Sequence, residues 1–174
     1  MKKIRFGVIG CGSIANEYHL PALRRVEGAQ LVWACDLIEE RAQKAKDDFG
    51  FEKYTLDYHD ILNDSSIDAV CIFTKIEMHA TLCIEAAAAG KHIFSQKPFA
   101  YNIEEGRKII RAVDEAGVKL TPSFMHSYMD GSIAARRIGE EGKIGEIRHI
   151  RMRNATKNPF DSAPGYGRSE ERRV

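Results

Sequence analysis

The chain has 174 residues, of which 44% are hydrophobic and 29% charged, a composition typical of one globular domain with a small additional segment. Its formal net charge is +1, so the overall charge does not favour nucleic acid as a partner. No apolar run is long enough to cross a bilayer, and Arg5 and Gly7 interrupt the apolar stretch near the N-terminus that would otherwise resemble a signal peptide. These totals predict a cytoplasmic protein that binds neither nucleic acid nor membrane.

The four cysteines, Cys11, Cys35, Cys71 and Cys83, form no C-x-x-C pair and have no zinc-site spacing. Three of them lie in apolar or glycine-rich runs that are typical of a protein core. We therefore expect buried free thiols in a reducing compartment, and no bound metal.

Short apolar runs alternate with helical patterns along the first 122 residues. Nearly continuous apolar runs are typical of parallel strands that are covered on both faces. Strands are predicted over 4–9, 30–35, 68–73, 91–94 and 118–122, and helices over 13–26, 38–48, 77–89 and 102–116. This alternation predicts an α/β fold, a Rossmann-type doubly wound parallel sheet, over residues 1–122.

Two short patterns predict where helices begin and end. Thr74 and Asn102 are each followed three residues later by glutamate, which is the spacing of a capping box. Gly90 and Gly117 are placed to end the same two helices.

The character of the sequence changes after Pro122. A helix is predicted over 127–142 and a strand with imperfect alternation over 145–154, whereas the Gly-, Pro- and charge-rich segment 158–174 is typical of a loop or of disorder. We assign 123–174 to the beginning of an incomplete α+β second domain with an irregular tail.

The segment GVIGCGSIA contains a dinucleotide-binding spacing, because Gly10, Gly12 and Ala15 follow the pattern G-x-G-x-x-G/A between a predicted strand and a predicted helix. The first glycine permits a tight turn, the second lets the backbone approach a pyrophosphate, and the small third residue lets the helix pack on the strand. The helix N-terminus, with Ser13 and Ile14, would supply N–H groups to the phosphates.

Asp36 follows the second predicted strand, where a carboxylate would accept hydrogen bonds from the adenosine ribose hydroxyls. The same charge would repel a 2′-phosphate, so the sequence favours NAD over NADP as the cofactor. The alternative is that the glycines only form a turn and that Asp36 only caps a helix.

Several segments together resemble the Gfo/Idh/MocA oxidoreductases over about residues 3–153. They are GVIGCGSIANEYHLPAL, the strand end at Asp36, DAVCIFT with MHATLCIEAAAAGKHIFSQKPFA, and RRIGEEGKIGEIRHIR. The most specific of them is the lysine–proline element after AGKHIF.

The family pattern at that element is usually Glu-Lys-Pro, and here it is Gln96-Lys97-Pro98. The resemblance implies that Lys97 is catalytic and lies near the nicotinamide and the substrate hydroxyls, where burial would favour its neutral form. It also implies that Pro98 makes the turn rigid, often with a cis bond. Because Gln96 replaces the usual glutamate, no negative charge lies beside the lysine at this position. The Gln96 side chain could still hydrogen-bond the cofactor. The alternative is a solvated Lys97 beside a proline that ends a strand.

The segment TKIEMH keeps the threonine and the histidine of the family pattern as Thr74 and His79, whereas Lys75 and Ile76 replace the usual Pro and Asn. The resemblance places Thr74 beside the cofactor crevice, a role compatible with its predicted capping. His79 is assigned to the cofactor site, with core packing as the alternative.

Four further residues match the family pattern. His126 and Tyr128 follow the last predicted strand, where the family places residues that line the substrate pocket. We expect a structural role for His19 and Pro21, and we expect Pro21 to bend or end the first helix.

The resemblance implies an NAD-dependent oxidoreductase that transfers a hydride between nicotinamide and a carbinol carbon of a sugar or polyol. Two alternatives are a non-catalytic NAD-binding sensor or partner-binding module, and an NAD-dependent glycosidase. A homo-oligomer is compatible with all three.

Enzymes of this family are considerably longer and carry a further catalytic histidine, usually in an Asp-x-x-x-His pattern, whereas this sequence has no histidine after residue 153. We therefore expect a truncated chain that binds NAD but turns substrate over poorly or not at all.

Overall fold

A computed structural model describes residues 3–151 of the chain. The described residues fall into two compact units, one that ends at Met125 and one that begins at His126. Within residues 3–151, no helix combines the length and the apolar character that crossing a membrane requires.

The first unit is built on one parallel sheet of six strands in the order β3-β2-β1-β4-β5-β6. This order is that of the doubly wound dinucleotide-binding fold, so the predicted fold class is confirmed. The strands are β1 (Ile4–Ile9), β2 (Ala29–Cys35), β3 (Lys53–Thr55), β4 (Ala69–Ile72), β5 (His92–Ser95) and β6 (Leu120–Pro122).

Helices cover both faces of this sheet. A π-helical segment, Ala15–His19, continues into α1 (Leu20–Leu23), and the remaining α-helices of the first unit are α2 (Glu39–Phe49), α3 (His59–Asn63), α4 (His79–Ala88) and α5 (Ile103–Ala116). A 3₁₀ turn, Ile76–Met78, leads into α4.

The core consists of two apolar layers, one on each face. Val70 and Ile72 of β4 pack with the side chains of α3, α4 and α5, whereas Cys71, between them, packs with Ala15 and with Leu20 of α1. Successive residues of a strand point to opposite faces, so a strand buried on both sides needs an unbroken apolar run, and all four residues of β4 are buried. All four cysteines are buried and free, as predicted.

The sequence analysis missed β3 and α3. β3 has only three residues and lies at the edge of the sheet, with Lys53 exposed, and α3 has only five. Such short elements contain too few residues to produce a hydrophobic period.

Two expectations for helix ends need correction. The capping box at Thr74 is not formed, because the residue before the 3₁₀ turn is Lys75, in an extended conformation and without a side-chain cap. The Thr74 hydroxyl instead donates to the Lys75 carbonyl oxygen (3.3 Å). Pro21 does not end the first helix, because α1 continues to Leu23; it lies in the first turn of α1, directly after the π-helical segment. A bend at Pro21 stays a prediction. The cap at Asn102 is present, since its side-chain oxygen accepts the Glu105 N–H (2.9 Å).

The second unit begins inside a 3₁₀ turn, Met125–Tyr128, whose first residue belongs to the first unit. It also contains α6 (Asp130–Glu140). The predicted helix over 127–142 is therefore found in shortened form. The predicted strand over 145–154 is wrong for 145–151, which form neither strand nor helix. A strand needs a neighbour for its N–H and C=O groups, and none pairs with this segment among the described residues. Residues 152–154 and the predicted irregular tail lie outside the described residues.

A hydrogen-bonded carboxylate joins β2 to the segment between α3 and β4. Ser66 donates its N–H and its hydroxyl to Asp64 Oδ1 (2.9 and 2.6 Å), and Trp33 Nε1 donates to Asp64 Oδ2 (2.8 Å). The bonds from Ser66 and then from Trp33 hold the pKa of Asp64 well below its ordinary value. Lys53 Nζ lies 3.4 Å from the same carboxylate and 4.0 Å from the centre of the Trp33 ring.

The lowered pKa of Asp64 predicts an acid-sensitive contribution to stability. A carboxyl group of this kind stabilises the fold above its unfolded pKa of about 4, and this contribution disappears as the pH falls through the folded value. We expect Asp64→Asn to lower the free energy of unfolding at pH 7 and to make its decline on acidification shallower, as measured by urea denaturation at a series of pH values. Asp47→Asn, a change of an exposed carboxylate on α2, is the control. An acid decline equal to that of the wild type would contradict this role.

Candidate cofactor-binding site

The carboxyl ends of the central strands bring the predicted site residues of the first unit to one edge of the sheet. Gly10 follows β1, Asp36 follows β2, Thr74 lies just beyond β4, and Lys97 lies just beyond β5. The chain order reverses between β1 and β4, which are adjacent in the sheet. In doubly wound sheets, ligands bind in the crevice outside such a switch point.

Gly10 is required by a close approach between two strand ends. Its φ is +97°, and a Cβ built on it would lie 2.6 Å from the Phe73 carbonyl oxygen. Its N–H donates to the Cys35 carbonyl oxygen (2.8 Å), which fixes the turn against the end of β2. No side chain can be added here without moving backbone.

Gly12 has the opposite environment. A Cβ built on Gly12 would meet no atom within 4 Å, so open space lies over this part of the loop. The helix that follows presents its first N–H groups without helical acceptors, as every helix start does. Open space over free N–H groups fits a phosphate that approaches the backbone.

Asn16 and a π-helical turn complete the loop. Asn16 Nδ2 donates to the carbonyl oxygens of Cys11 and Gly12 (2.6 and 2.9 Å), and the helix begins as the π-helical segment Ala15–His19. The sequence analysis did not identify Asn16, because an asparagine early in a helix is also typical of an ordinary capping or turn position. Segments of π-helix occur frequently at functional sites.

Asp36 is tied to the glycine loop. Its Oδ2 accepts the Cys11 N–H (2.8 Å) and its Oδ1 accepts the Ile38 N–H (3.0 Å). A carboxylate has about four acceptor positions, so each oxygen can accept a further bond from a ribose hydroxyl. Burial, followed by the charge of Asp36, raises the pKa of the neighbouring Cys11 thiol to about 12, which makes it an unreactive side chain.

The Gln96-Lys97-Pro98 element leaves the sheet with a cis peptide bond between Lys97 and Pro98. Gln96 is buried, and its Oε1 accepts the Lys97 N–H (2.7 Å). The Lys97 side chain is exposed, so the burial that we considered from the sequence is not found within the described residues. An exposed ammonium at this edge is available to a ligand in the crevice.

His79 connects the two strand ends beside this element. It is only 1% exposed, and its ring nitrogens lie 2.9 Å from the Pro98 carbonyl oxygen and 3.2 Å from the Thr74 carbonyl oxygen. These contacts give His79 a structural role in holding Pro98 beside Thr74. Direct contact of His79 with a cofactor stays a prediction.

His19 has a contact that the sequence did not reveal. Its Nε2 lies 2.8 Å from Gln96 Nε2, and its ring stacks on Phe73 with ring centres 4.3 Å apart. Phe94 meets the same ring edge-on at 5.7 Å. The structural role expected for His19 thus includes a direct link from the helix after the glycine loop to the residue before Lys97.

His126 and Tyr128, the predicted substrate residues, belong to the second unit and are both exposed. His126 Nδ1 lies 3.3 Å from the Met129 sulfur. Their assignment to a substrate pocket stays a prediction.

Residues 4–124 match the family described as "Oxidoreductase family, NAD-binding Rossmann fold", whose short name is GFO_IDH_MocA. The chain belongs to this family. The resemblance found in the sequence is therefore confirmed, and the glycine loop, Asp36 and the lysine–proline element all lie within the matched residues.

Several curated relatives are inositol dehydrogenases. The chain is 31% identical over 165 residues to inositol 2-dehydrogenase of Salmonella typhimurium (strain LT2), covering 92% of this chain and 49% of the relative. The chain thus spans about half the length of the curated relatives that it matches.

Two solved structures are similar to the fold described above. One is scyllo-inositol dehydrogenase from Lactobacillus casei with bound NAD(H) and scyllo-inositol, which has a TM-score of 0.77 and 28% identity over 83% of this chain and 43% of that one. The other is KijD10, a 3-ketoreductase from Actinomadura kijaniata in complex with NADP and TDP-benzene, which has a TM-score of 0.76 and 29% identity over 84% of this chain and 45% of that one. These relatives bind different nicotinamide dinucleotides, so the family alone does not select NAD.

Proposed function

We propose that this chain is the cofactor-binding part of an NAD-dependent sugar or polyol dehydrogenase. The observation that carries the proposal is the geometry at one edge of the sheet. There the open backbone at Gly12, the carboxylate of Asp36 and the exposed ammonium of Lys97 follow β1, β2 and β5 in a member of an NAD-binding oxidoreductase family.

The chain's own residues have separate tasks in this proposal. The N–H groups after Gly12, including those of Ser13 and Ile14, hold the phosphates, and Asp36 accepts hydrogen bonds from the ribose hydroxyls. When bound, the dinucleotide supplies the hydride chemistry, which no amino-acid side chain can supply. Thr74 and the Gln96-Lys97-Pro98 element border the nicotinamide end.

Lys97 would act on the substrate hydroxyl. Its ammonium has three donors and a flexible stem, so it can hold the oxygen of a carbinol group and stabilise the negative charge that develops there while the hydroxyl proton passes to solvent water. His126 and Tyr128 are our proposed contributors to the substrate side.

NAD is the proposed cofactor rather than NADP. If Asp36 binds the ribose hydroxyls, a 2′-phosphate on that ribose would lie beside the Asp36 carboxylate. The two negative charges would repel each other.

A direct test combines binding with turnover. We expect Lys97→Met to leave NAD affinity within about threefold of the wild type and to reduce kcat/KM with inositols by about 100-fold or more, because a donor to the substrate is lost. Binding is measured by titration calorimetry and turnover by the absorbance of NADH, with Lys44→Met on the exposed face of α2 as the matched control. Detectable wild-type turnover that is equal in Lys97→Met would refute the role of Lys97.

A second candidate function is nucleotide binding without catalysis. Gln96 favours it, because an amide stands where the family usually has a carboxylate beside the lysine. NAD binding by the wild type with no turnover of any sugar or inositol would support this second candidate over the first. Release of an aglycone from a chromogenic glycoside would instead support the glycosidase alternative.

A further inference from the structure

The side chain of Gln96 makes two hydrogen bonds that determine its orientation. Gln96 is 8% exposed, and its own N–H donates to the Ile72 carbonyl oxygen (2.9 Å) at the end of β4. Its side-chain oxygen accepts the Lys97 N–H (2.7 Å). A backbone N–H can only donate, so the atom that faces Lys97 must be the oxygen, and the atom that faces His19 must be the NH₂ group.

This orientation determines the protonation state of His19. The amide nitrogen can only donate, so His19 Nε2, 2.8 Å away, must accept. An imidazole whose Nε2 accepts carries its proton on Nδ1 and is neutral. Protonation of His19 would place an N–H against an NH₂ and break the contact.

Among residues 3–151, the ring contacts and the side-chain hydrogen bond of His19 involve no charged side chain. The contacts that pack against its ring come from Phe73, Phe94 and Gln96, none of which titrates. Its helix neighbours Glu17 and Tyr18 are exposed. Burial lowers the pKa of His19 from its ordinary value.

We propose that Gln96 is a positioning residue that holds His19 in the neutral Nδ1–H form and so joins the helix after the glycine loop to the peptide that carries Lys97. The importance of this link for the cofactor site rests on the proposed function, whereas the link itself does not. A glutamate at position 96 would reverse the requirement, because a carboxylate accepts and would favour a proton on Nε2. The pKa of His19 would then rise by roughly 1–3 units.

The protonation state can be observed without any cofactor. In protein with ¹⁵N-labelled histidine at pH 7.5, long-range ¹H–¹⁵N correlation should show a protonated Nδ1 and an unprotonated Nε2 for His19. The signals of His19 are identified by their loss in His19→Asn. A wild-type His19 that is protonated on Nε2 would overturn the proposal.

Two variants test the effect of the amide. Gln96→Glu should raise the pKa of His19 by the stated amount, whereas Gln43→Glu, the same change at an exposed position of α2, should leave it unchanged. Equal shifts in the two variants would refute the role of Gln96.

The link to Lys97 is tested by hydrogen exchange. Gln96→Leu removes both side-chain bonds at similar volume, and we expect the Lys97 N–H to exchange about tenfold faster than in the wild type. Unchanged exchange would overturn the positioning role. Failure of the protein to bind NAD, with the expected His19 signals present, would refute the proposed function but not this link.

Discussion

Gly10→Ala should lose both stability and NAD binding, whereas Gly12→Ala should lose only NAD binding. At Gly10 a Cβ would lie 2.6 Å from the Phe73 carbonyl oxygen and 2.8 Å from its carbon, and φ is +97°, which side-chain-bearing residues rarely adopt. Either the loop or the end of β4 must move. We expect the free energy of unfolding to fall by about 2–4 kcal/mol, the sum of backbone strain and overpacking.

Gly12→Ala is the matched partner of that variant, because its Cβ would enter open space. We expect the free energy of unfolding to stay within about 0.5 kcal/mol of the wild type. NAD affinity should fall by about 10- to 100-fold, because the methyl group occupies the place where a pyrophosphate would approach the backbone.

Urea denaturation measures the stability of each variant, and titration calorimetry measures its affinity for NAD. Together they distinguish the structural role of Gly10 from the cofactor-binding role of Gly12. Wild-type stability in Gly10→Ala would contradict the close approach to Phe73. Wild-type NAD affinity in Gly12→Ala would mean that the phosphates do not lie over this loop, and it would count against the proposed function.

Asp36→Asn should lower NAD affinity and weaken the discrimination against NADP. The carboxylate accepts N–H groups from both Cys11 and Ile38, and an amide can accept only one of them and would present its NH₂ to the other. The loss of a charged acceptor corresponds to about 1.5–3 kcal/mol, or about 10- to 100-fold in NAD affinity. NADP affinity should fall less or rise, because repulsion of the 2′-phosphate is removed.

The ratio of the two dissociation constants is the decisive measurement for Asp36. Asp47→Asn, which changes the net charge equally on the surface of α2, should leave that ratio unchanged. If Asp36→Asn weakens NAD and NADP binding by the same factor, Asp36 only holds the glycine loop in place through its hydrogen bond to Cys11. It would then not select between the two cofactors.

Local patterns in the sequence were sufficient to predict most of the fold. The apolar runs of β1, β2, β4 and β5 and the helical patterns between them were located to within a few residues, because burial on both faces leaves an unbroken apolar run. The short edge strand β3 and the capping geometry at Thr74 were not predicted correctly. A three-residue strand depends on its neighbour, and the turn after β4 begins one residue later than the capping box at Thr74 requires, after Lys75.

The sequence by itself determined the doubly wound sheet and the placement of Gly10, Gly12 and Asp36, because these follow from patterns along the chain. The family and the choice of Lys97 came from the resemblance of whole segments to known oxidoreductases, and the family was then confirmed. Only the tertiary structure decided that Gly10 is required by the Phe73 carbonyl and that Lys97 is exposed. Only the tertiary structure could pair Gln96 with His19, since 77 residues separate them in the sequence. Their contact exists because the sheet order brings the ends of β1, β4 and β5 to one edge, and no local pattern encodes which side chains meet there.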